Sequence, residues 1–159
     1  MVHHFYTTDP KGELALQGGY RYLGIACYVY TMQVKDTVPV YRCFNPSTNN
    51  HFYTTSRSEF DNAIQNYGYT PEFIGWFMFD ADQNPPNTVA LNRYYNEETM
   101  DHLYFTGQAT SYAQRYVEDG IAGHVLNDDG LSNAGNSYQS RTSAVPLYWW
   151  ATENEGDRS

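Results

Sequence analysis

The sequence predicts an α+β fold, mainly antiparallel β, in which three hairpin–helix–strand units form a pseudo-threefold closed ring. Three observations predict it. The first is a motif that occurs three times: His4-Phe5-Tyr6-Thr7-Thr8, His51-Phe52-Tyr53-Thr54-Thr55 and His102-Leu103-Tyr104-Phe105-Thr106, at spacings of 47 and 51. The second is a later match in the same order: Ile25–Tyr30 aligns with Ile74–Phe79 and with Ile121–Leu126. The third is at the C-terminus, where Val145-Pro146-Leu147-Tyr148-Trp149-Trp150-Ala151 matches Val38-Pro39-Val40-Tyr41-Arg42-Cys43-Phe44. Self-similarity at a period near fifty residues is the signature of a repeat architecture.

Each element follows from local pattern. Val40–Asn45 runs through the turn Pro46-Ser47-Thr48-Asn49-Asn50 into the His51 strand, and Leu91–Asn96 leads in the same way to the His102 strand; both read as hairpins. Phe60, Ala63, Ile64 and Tyr67 fall at i, i+3, i+4, i+7, one stripe of a helix, with Ser56 and Glu59 as a capping-box start and Gly68 as its end. Ala109, Tyr112, Ala113 and Tyr116 repeat the stripe, ending at Gly120. In the first unit, Asp9-Pro10, Gly12 and Gly18-Gly19 leave room for one or two turns. Nothing precedes the His4 strand, so the C-terminal strand is expected to complete the first unit and close the ring, hiding sheet edges. The units are then 145–159 plus 1–37, 38–88 and 89–144, all within a single domain, 1–159. Thr31–Thr37 and Asp80–Thr88 join them, and the longer Asn127–Ala144, rich in Gly, Ser and Asn, reads as a surface or binding loop.

Composition narrows the function. Nine Lys+Arg against 18 Asp+Glu give a net charge of −9, which argues against nucleic acid and against anionic membrane surfaces. No apolar stretch approaches the ~20 residues of a membrane helix. Met1-Val2-His3-His4-Phe5 lacks a basic region followed by an apolar one, which reads as cytoplasmic; a chain missing its native N-terminus would read as secreted. Cys27 and Cys43 sit in strand-like runs and read as buried small hydrophobes. The chain has 16 Tyr against 8 Phe and 3 Trp, an excess that suits sheets, interfaces and sugar-binding surfaces alike.

Period-two alternation puts His4, His51 and His102 on one strand face with Tyr6, Tyr53, Tyr104 and with Thr8, Thr55, Thr106. This face is either a hydrogen-bonded set fixing the hairpin against the helix or a polar-aromatic pocket. A metal role is thin, with one His per unit and no nearby carboxylates, and no metal or other cofactor is expected. Arg42, Arg93 and Trp149, opposite Tyr41 and Tyr94 and beside Asn45, Asn96 and Asn50, are either core-edge packing or the ring and donors of a sugar site. Trp76 reads as core. Asp80-Ala81-Asp82-Gln83-Asn84 begins like a calcium loop but has Pro85 and Leu91 where an EF-hand needs Gly and Glu, so it reads as a turn. No nucleophile elbow, phosphate loop or His-Glu-x-x-His is present.

The run Tyr41–Thr55, with Glu59 and Ile74-Gly75-Trp76, resembles a repeat family of unassigned function. Its members occur as tandem appendages on bacterial cell-wall hydrolases and as free-standing fungal proteins. Cys27 and Gly123 stand where the second unit has Trp76, and Trp149 where it has Arg42. The resemblance implies attachment to glycans. The expectation is a non-enzymatic, multivalent lectin for glycans or glycoconjugates, with ligand residues Tyr41, Arg42, Asn45, His51, Tyr53 and Glu59 in the second unit, Arg93, Asn96, His102 and Tyr104 in the third, and His4, Tyr6 and Trp149 in the first. The alternatives are a protein-binding module, such as an enzyme inhibitor acting through the 127–144 loop, and an enzyme with its site on the pseudo-threefold axis.

Overall fold

The computed structural model describes residues 2–107, 115–129 and 143–152. Nine strands and one helix are defined among these residues: β1 (His4–Thr7), β2 (Tyr20–Val29), β3 (Val38–Asn45), β4 (Asn50–Thr54), α1 (Arg57–Asn66), β5 (Thr70–Met78), β6 (Val89–Tyr95), β7 (His102–Phe105), β8 (Val117–Val125) and β9 (Val145–Thr152). They form three antiparallel sheets of one design: a short strand, a central strand and a long outer strand, in the orders β1-β9-β2, β4-β3-β5 and β7-β6-β8. The C-terminal strand therefore does supply the centre of the first sheet, with Tyr6 opposite Trp149 as Tyr53 is opposite Arg42 and Tyr104 opposite Arg93.

The sheets do not merge into one closed sheet. Each keeps its own edges, and isolated bridges Tyr28–Leu126, Tyr30–Phe77 and Phe79–His124 link the outer strands' C-terminal ends. The outer strands are bulged twice each against their central strands, at matching places. Bulges bend a strand and spoil an edge for pairing with another chain, which is one way such edges stay unpaired.

Ser56 caps α1 by accepting the Glu59 N–H at 3.2 Å, and Gly68 follows its end with φ +78°. The second half of the capping box is absent: the Ser56 N–H goes to the Thr54 hydroxyl, and the Glu59 carboxylate turns elsewhere. Phe60 and Ala63 are buried with Ile64 packed beside them, but Tyr67 is the cap residue and 65% exposed, so it leaves the stripe. In the first unit the chain makes successive turns from Asp9 to Tyr20 without a helix, because Gly12 and Glu13 adopt positive φ. The expected third-unit helix falls on Ala109, Tyr112 and Ala113, outside the described residues. Gly120 ends no helix: it lies within β8 at φ +85°.

The main core gathers Tyr6, Tyr53, Tyr104, Val29, Val40, Trp76, Met78, Leu91, Val125 and Leu147 from all three sheets. Trp76 is core, as expected, and its indole N–H donates to Met78 Sδ at 3.4 Å. Met78 in turn fills the space over Gly123, where an added Cβ would sit 2.7 Å from Met78 Cε and from the Phe79 carbonyl. Cys27 and Cys43 are buried free thiols, and burial pushes both upward in pKa, Cys43 to about 12.

Removing Val145–Ser159 deletes the strand to which both β1 and β2 are paired. The truncated chain is expected to lose its cooperative melting transition by circular dichroism; an unchanged transition would show that the first sheet does not depend on β9.

Candidate functional site

Three fully buried tyrosines meet at the centre in a closed cycle. The Tyr53 hydroxyl accepts from the Tyr6 N–H (2.8 Å) and donates to the Tyr6 carbonyl (3.2 Å). The Tyr104 hydroxyl does the same to Tyr53 (2.9 and 2.6 Å), and the Tyr6 hydroxyl to Tyr104 (2.8 Å each). Their rings pack edge to face at 5.3–5.6 Å. Burial raises all three hydroxyls well above the ordinary tyrosine value, so they stay neutral donors. Tyr6, Tyr53 and Tyr104 therefore fill the centre rather than line a pocket there.

Around this cycle, two of the three contacts between sheets are ionic. Arg42, expected to offer exposed donors, is only 4% exposed. Its Nη1 and Nη2 donate to the Glu13 carboxylate at 2.9 and 3.1 Å, and its Nε to Glu72 Oε1 at 2.8 Å. Arg93 repeats the arrangement, with both terminal nitrogens on Glu59 at 2.8 Å and its Nε on Asp119 Oδ2 at 2.8 Å. Glu13 and Glu59 come from the preceding unit in each case, so each guanidinium joins two units. Burial alone would lower the Arg42 and Arg93 pKa values, but the carboxylate hydrogen bonds and charges raise them. Burial would raise Glu13 and Glu59, but hydrogen bonds from Arg42 and Thr7, and from Arg93 and Thr54, lower them.

At the third contact Trp149 replaces the guanidinium. It stacks on His4 (5.8 Å, 12°) and Tyr6 (6.3 Å, 20°) and meets Phe105 edge-on at 6.0 Å. His4 Nδ1 is 2.6 Å from Asp101 Oδ2, which also accepts from the Tyr116 hydroxyl at 2.6 Å. The expectation that no histidine has a carboxylate near it is thus corrected: Asp101, immediately before His102, reaches His4 across 97 residues. No cluster of three or more metal-ligating side chains occurs among the described residues.

His51 and His102 are packed against aromatic rings, His51 between Phe5 and Phe44 (4.7 Å each) and His102 between Phe52 and Tyr95 (4.7 and 4.9 Å), and His51 Nε2 also lies 3.8 Å from Glu72 Oε1. Neither Nδ1 has a hydrogen-bond partner among the described residues. Asn45 and Asn96, expected to hold sugar hydroxyls, are buried turn residues. Asn45 donates to the Tyr67 carbonyl and accepts from Ser47, while Asn96 accepts from Glu98 and Thr99. Asn50 is likewise taken, by His3 Nδ1 and the Thr99 carbonyl. Tyr41 lies on Phe60 at 5.3 Å. The Asp80 stretch makes a turn, with Gln83 N–H bonded to the Asp80 carbonyl. Most of the expected binding loop, residues 130–142, lies outside the described residues.

The two arginine-bound acids Glu72 and Asp119 are partly exposed, their side chains 28% and 42% accessible. Glu72 and Asp119 each have one carboxylate oxygen fixed by an arginine; the other, Glu72 Oε2 or Asp119 Oδ1, has no hydrogen-bond partner among the described residues. Beside Glu72, the Phe73 ring is 58% exposed and carries Arg42 Cζ 4.1 Å from its centroid. Glu72, Phe73 and Asp119 escaped the sequence reading. A signal existed: Glu13 and Glu59 follow the histidine by nine and eight residues where the next unit has an arginine, and the third unit has no acid at 110–111 ahead of Trp149.

Tyr53→Phe keeps the ring but leaves the Tyr6 N–H and carbonyl unpaired in a dry centre. A loss of about 2–3 kcal/mol in urea unfolding is expected, from the ~1–3 kcal/mol penalty per unsatisfied buried group; a change below about 0.5 kcal/mol would show that the cycle contributes nothing.

Residues 1–79 match the family model described as a domain of unknown function, DUF5648. No curated protein and no solved structure matches the chain.

Proposed function

We propose that this chain is a non-enzymatic, multivalent carbohydrate-binding module, its three units arranged about a pseudo-threefold axis through the tyrosine cycle, with glycan sites over the Arg42 and Arg93 junctions. The observation that carries the reading is Glu72: one oxygen locked by a buried guanidinium, the other open, next to the half-exposed ring of Phe73. A fixed carboxylate accepts sugar hydroxyls without losing side-chain entropy, and an aromatic face covers the apolar face of a pyranose. The guanidinium offsets part of the acid's charge, so a neutral ligand need not be repelled.

The Arg93 junction offers Asp119 in the same role, but the position after it in β8 is Gly120 rather than an aromatic residue, and the ring against Arg93, Phe52, is buried. At the third contact Trp149 stands where the guanidinium stands in the others, and the acid seen there, Asp101, pairs with His4. Unequal sites follow, the strongest at Glu72–Phe73. Each would bind weakly, around the ~4 kcal/mol of a millimolar site, and gain from several sites meeting one glycan-bearing surface. The buried tyrosines, thiols and the two ring-packed histidines are shifted toward their uncharged forms, which supports a binding role over acid–base or nucleophilic chemistry.

A glycan array followed by calorimetry on the hits tests this. Phe73→Ala and Glu72→Gln should each weaken binding by about 5–10-fold or more, the scale of one lost contact of ~1–1.5 kcal/mol; Glu72→Gln also removes a charge partner of buried Arg42 and should lower the melting temperature, so its binding is read at a temperature where it is fully folded. Silence across the array, or full binding by both variants, would reject the site.

A further inference from the structure

The two arginine junctions share a feature that the tryptophan junction lacks. At each, an imidazole whose buried Nδ1 has no hydrogen-bond partner among the described residues packs on the same phenylalanine ring as the guanidinium: Phe5 for His51 and Arg42, Phe52 for His102 and Arg93. His51 faces Arg42 from β3, Glu13 from the turn after β1, Glu72 from β5 (Nε2 to Oε1 3.8 Å), and Asp101 and His3. His102 faces Arg93 from β6, Glu59 from α1, Asp119 from β8, and Asp101. His4 differs: Asp101 occupies its Nδ1 and the flat ring beside it is Trp149 rather than a cation.

We propose that the Arg42 and Arg93 junctions form an acid-sensitive switch, in which a proton reaching His51 or His102 puts a second cation against a buried guanidinium and drives the two units apart. The Trp149 junction, where Trp149 stacks on His4 and His4 pairs with Asp101, is not part of the device.

The sign follows from the directions of the shifts. Burial, then the neighbouring guanidinium, lowers His51 to about 3 and His102 to about 4. An unfolded or opened chain takes those protons near the ordinary ~6.5. Stability is therefore full above ~6.5 and falls as pH drops toward about 4 for His102 and about 3 for His51. Glu13 and Glu59 act in the same direction. Held below the ordinary carboxylate value, they lose their stabilising charge as pH falls through their folded-state values. Two histidines in step allow the opening constant to rise by up to about 100-fold per pH unit. The inference does not depend on what the module binds. If glycan sites do stand over these junctions, acid would empty them.

The double variant His51→Phe/His102→Phe, with rings that cannot take a proton, tests the device. Urea midpoints are compared with wild type at pH 7 and pH 4.5. The wild type should lose much more stability than the variant between the two, and its acid-unfolding midpoint should lie about one pH unit higher. Equal losses would overturn the proposal. Should the variant fail to fold at pH 7, imidazole NMR of the wild type decides: His51 and His102 should stay neutral until the structure opens and protonate with it. Titration of either near pH 6.5 in a chain that stays folded would refute the switch.

Discussion

The short strands β1, β4 and β7 each pair with one strand of their own sheet and not with one another. Each of β1, β4 and β7 spends one edge on its own sheet and turns the other toward the centre, where no fourth strand fits. A buried peptide group without a partner costs about as much as a lost hydrogen bond. The tyrosine cycle resolves this. One phenol hydroxyl acts as both donor and acceptor, so it can serve the N–H and the carbonyl of a single residue, as a neighbouring strand would. Each hydroxyl serves one neighbouring tyrosine (Tyr53 serves Tyr6, Tyr104 serves Tyr53 and Tyr6 serves Tyr104), so all three are satisfied together only when all three are in place. The cycle thus ties the three sheets to one another at the centre of the core.

The rim depends on a second coupling. Arg42 and Arg93 are taken out of water, which is tolerable only because each meets two carboxylates in bidentate or end-on geometry. The partners come from different units, so ionic pairing at the rim and hydroxyl pairing at the centre enforce the same neighbour relations. The Trp149 contact reaches the same end by ring stacking.

Much of the fold was legible in the sequence. The strands, their hairpins, the α1 stripe and the role of Val145–Ala151 follow from local periodicity and from the repeat itself. Depth was not legible. Alternation assigns Arg42 to a face, but whether that face meets solvent depends on Glu13, which lies 29 residues away in another unit. The same applies to Asp101 and His4, whose pairing no local pattern foretells. Exposed Phe73 was missed for the converse reason: in a strand-like run, an aromatic residue reads as core. The pairing of Arg42 with Glu13 and of Arg93 with Glu59 left an internal trace in the repeat: where Trp149 replaces the arginine, the sequence has Thr110 and Ser111 at the place of the acid.

The units are built alike but are not interchangeable parts. Trp76 occupies its own sheet's share of the core, and Met78, two residues on, leans into the room left by Gly123. A chain with two copies of the second unit in succession would present a tryptophan where the neighbour requires a glycine, and the shoulder formed by Met78 would have nowhere to go. Side-chain volume therefore works as an address. It fixes which unit follows which around the centre, and it makes the differences among the three copies part of the information that assembles the molecule in one order.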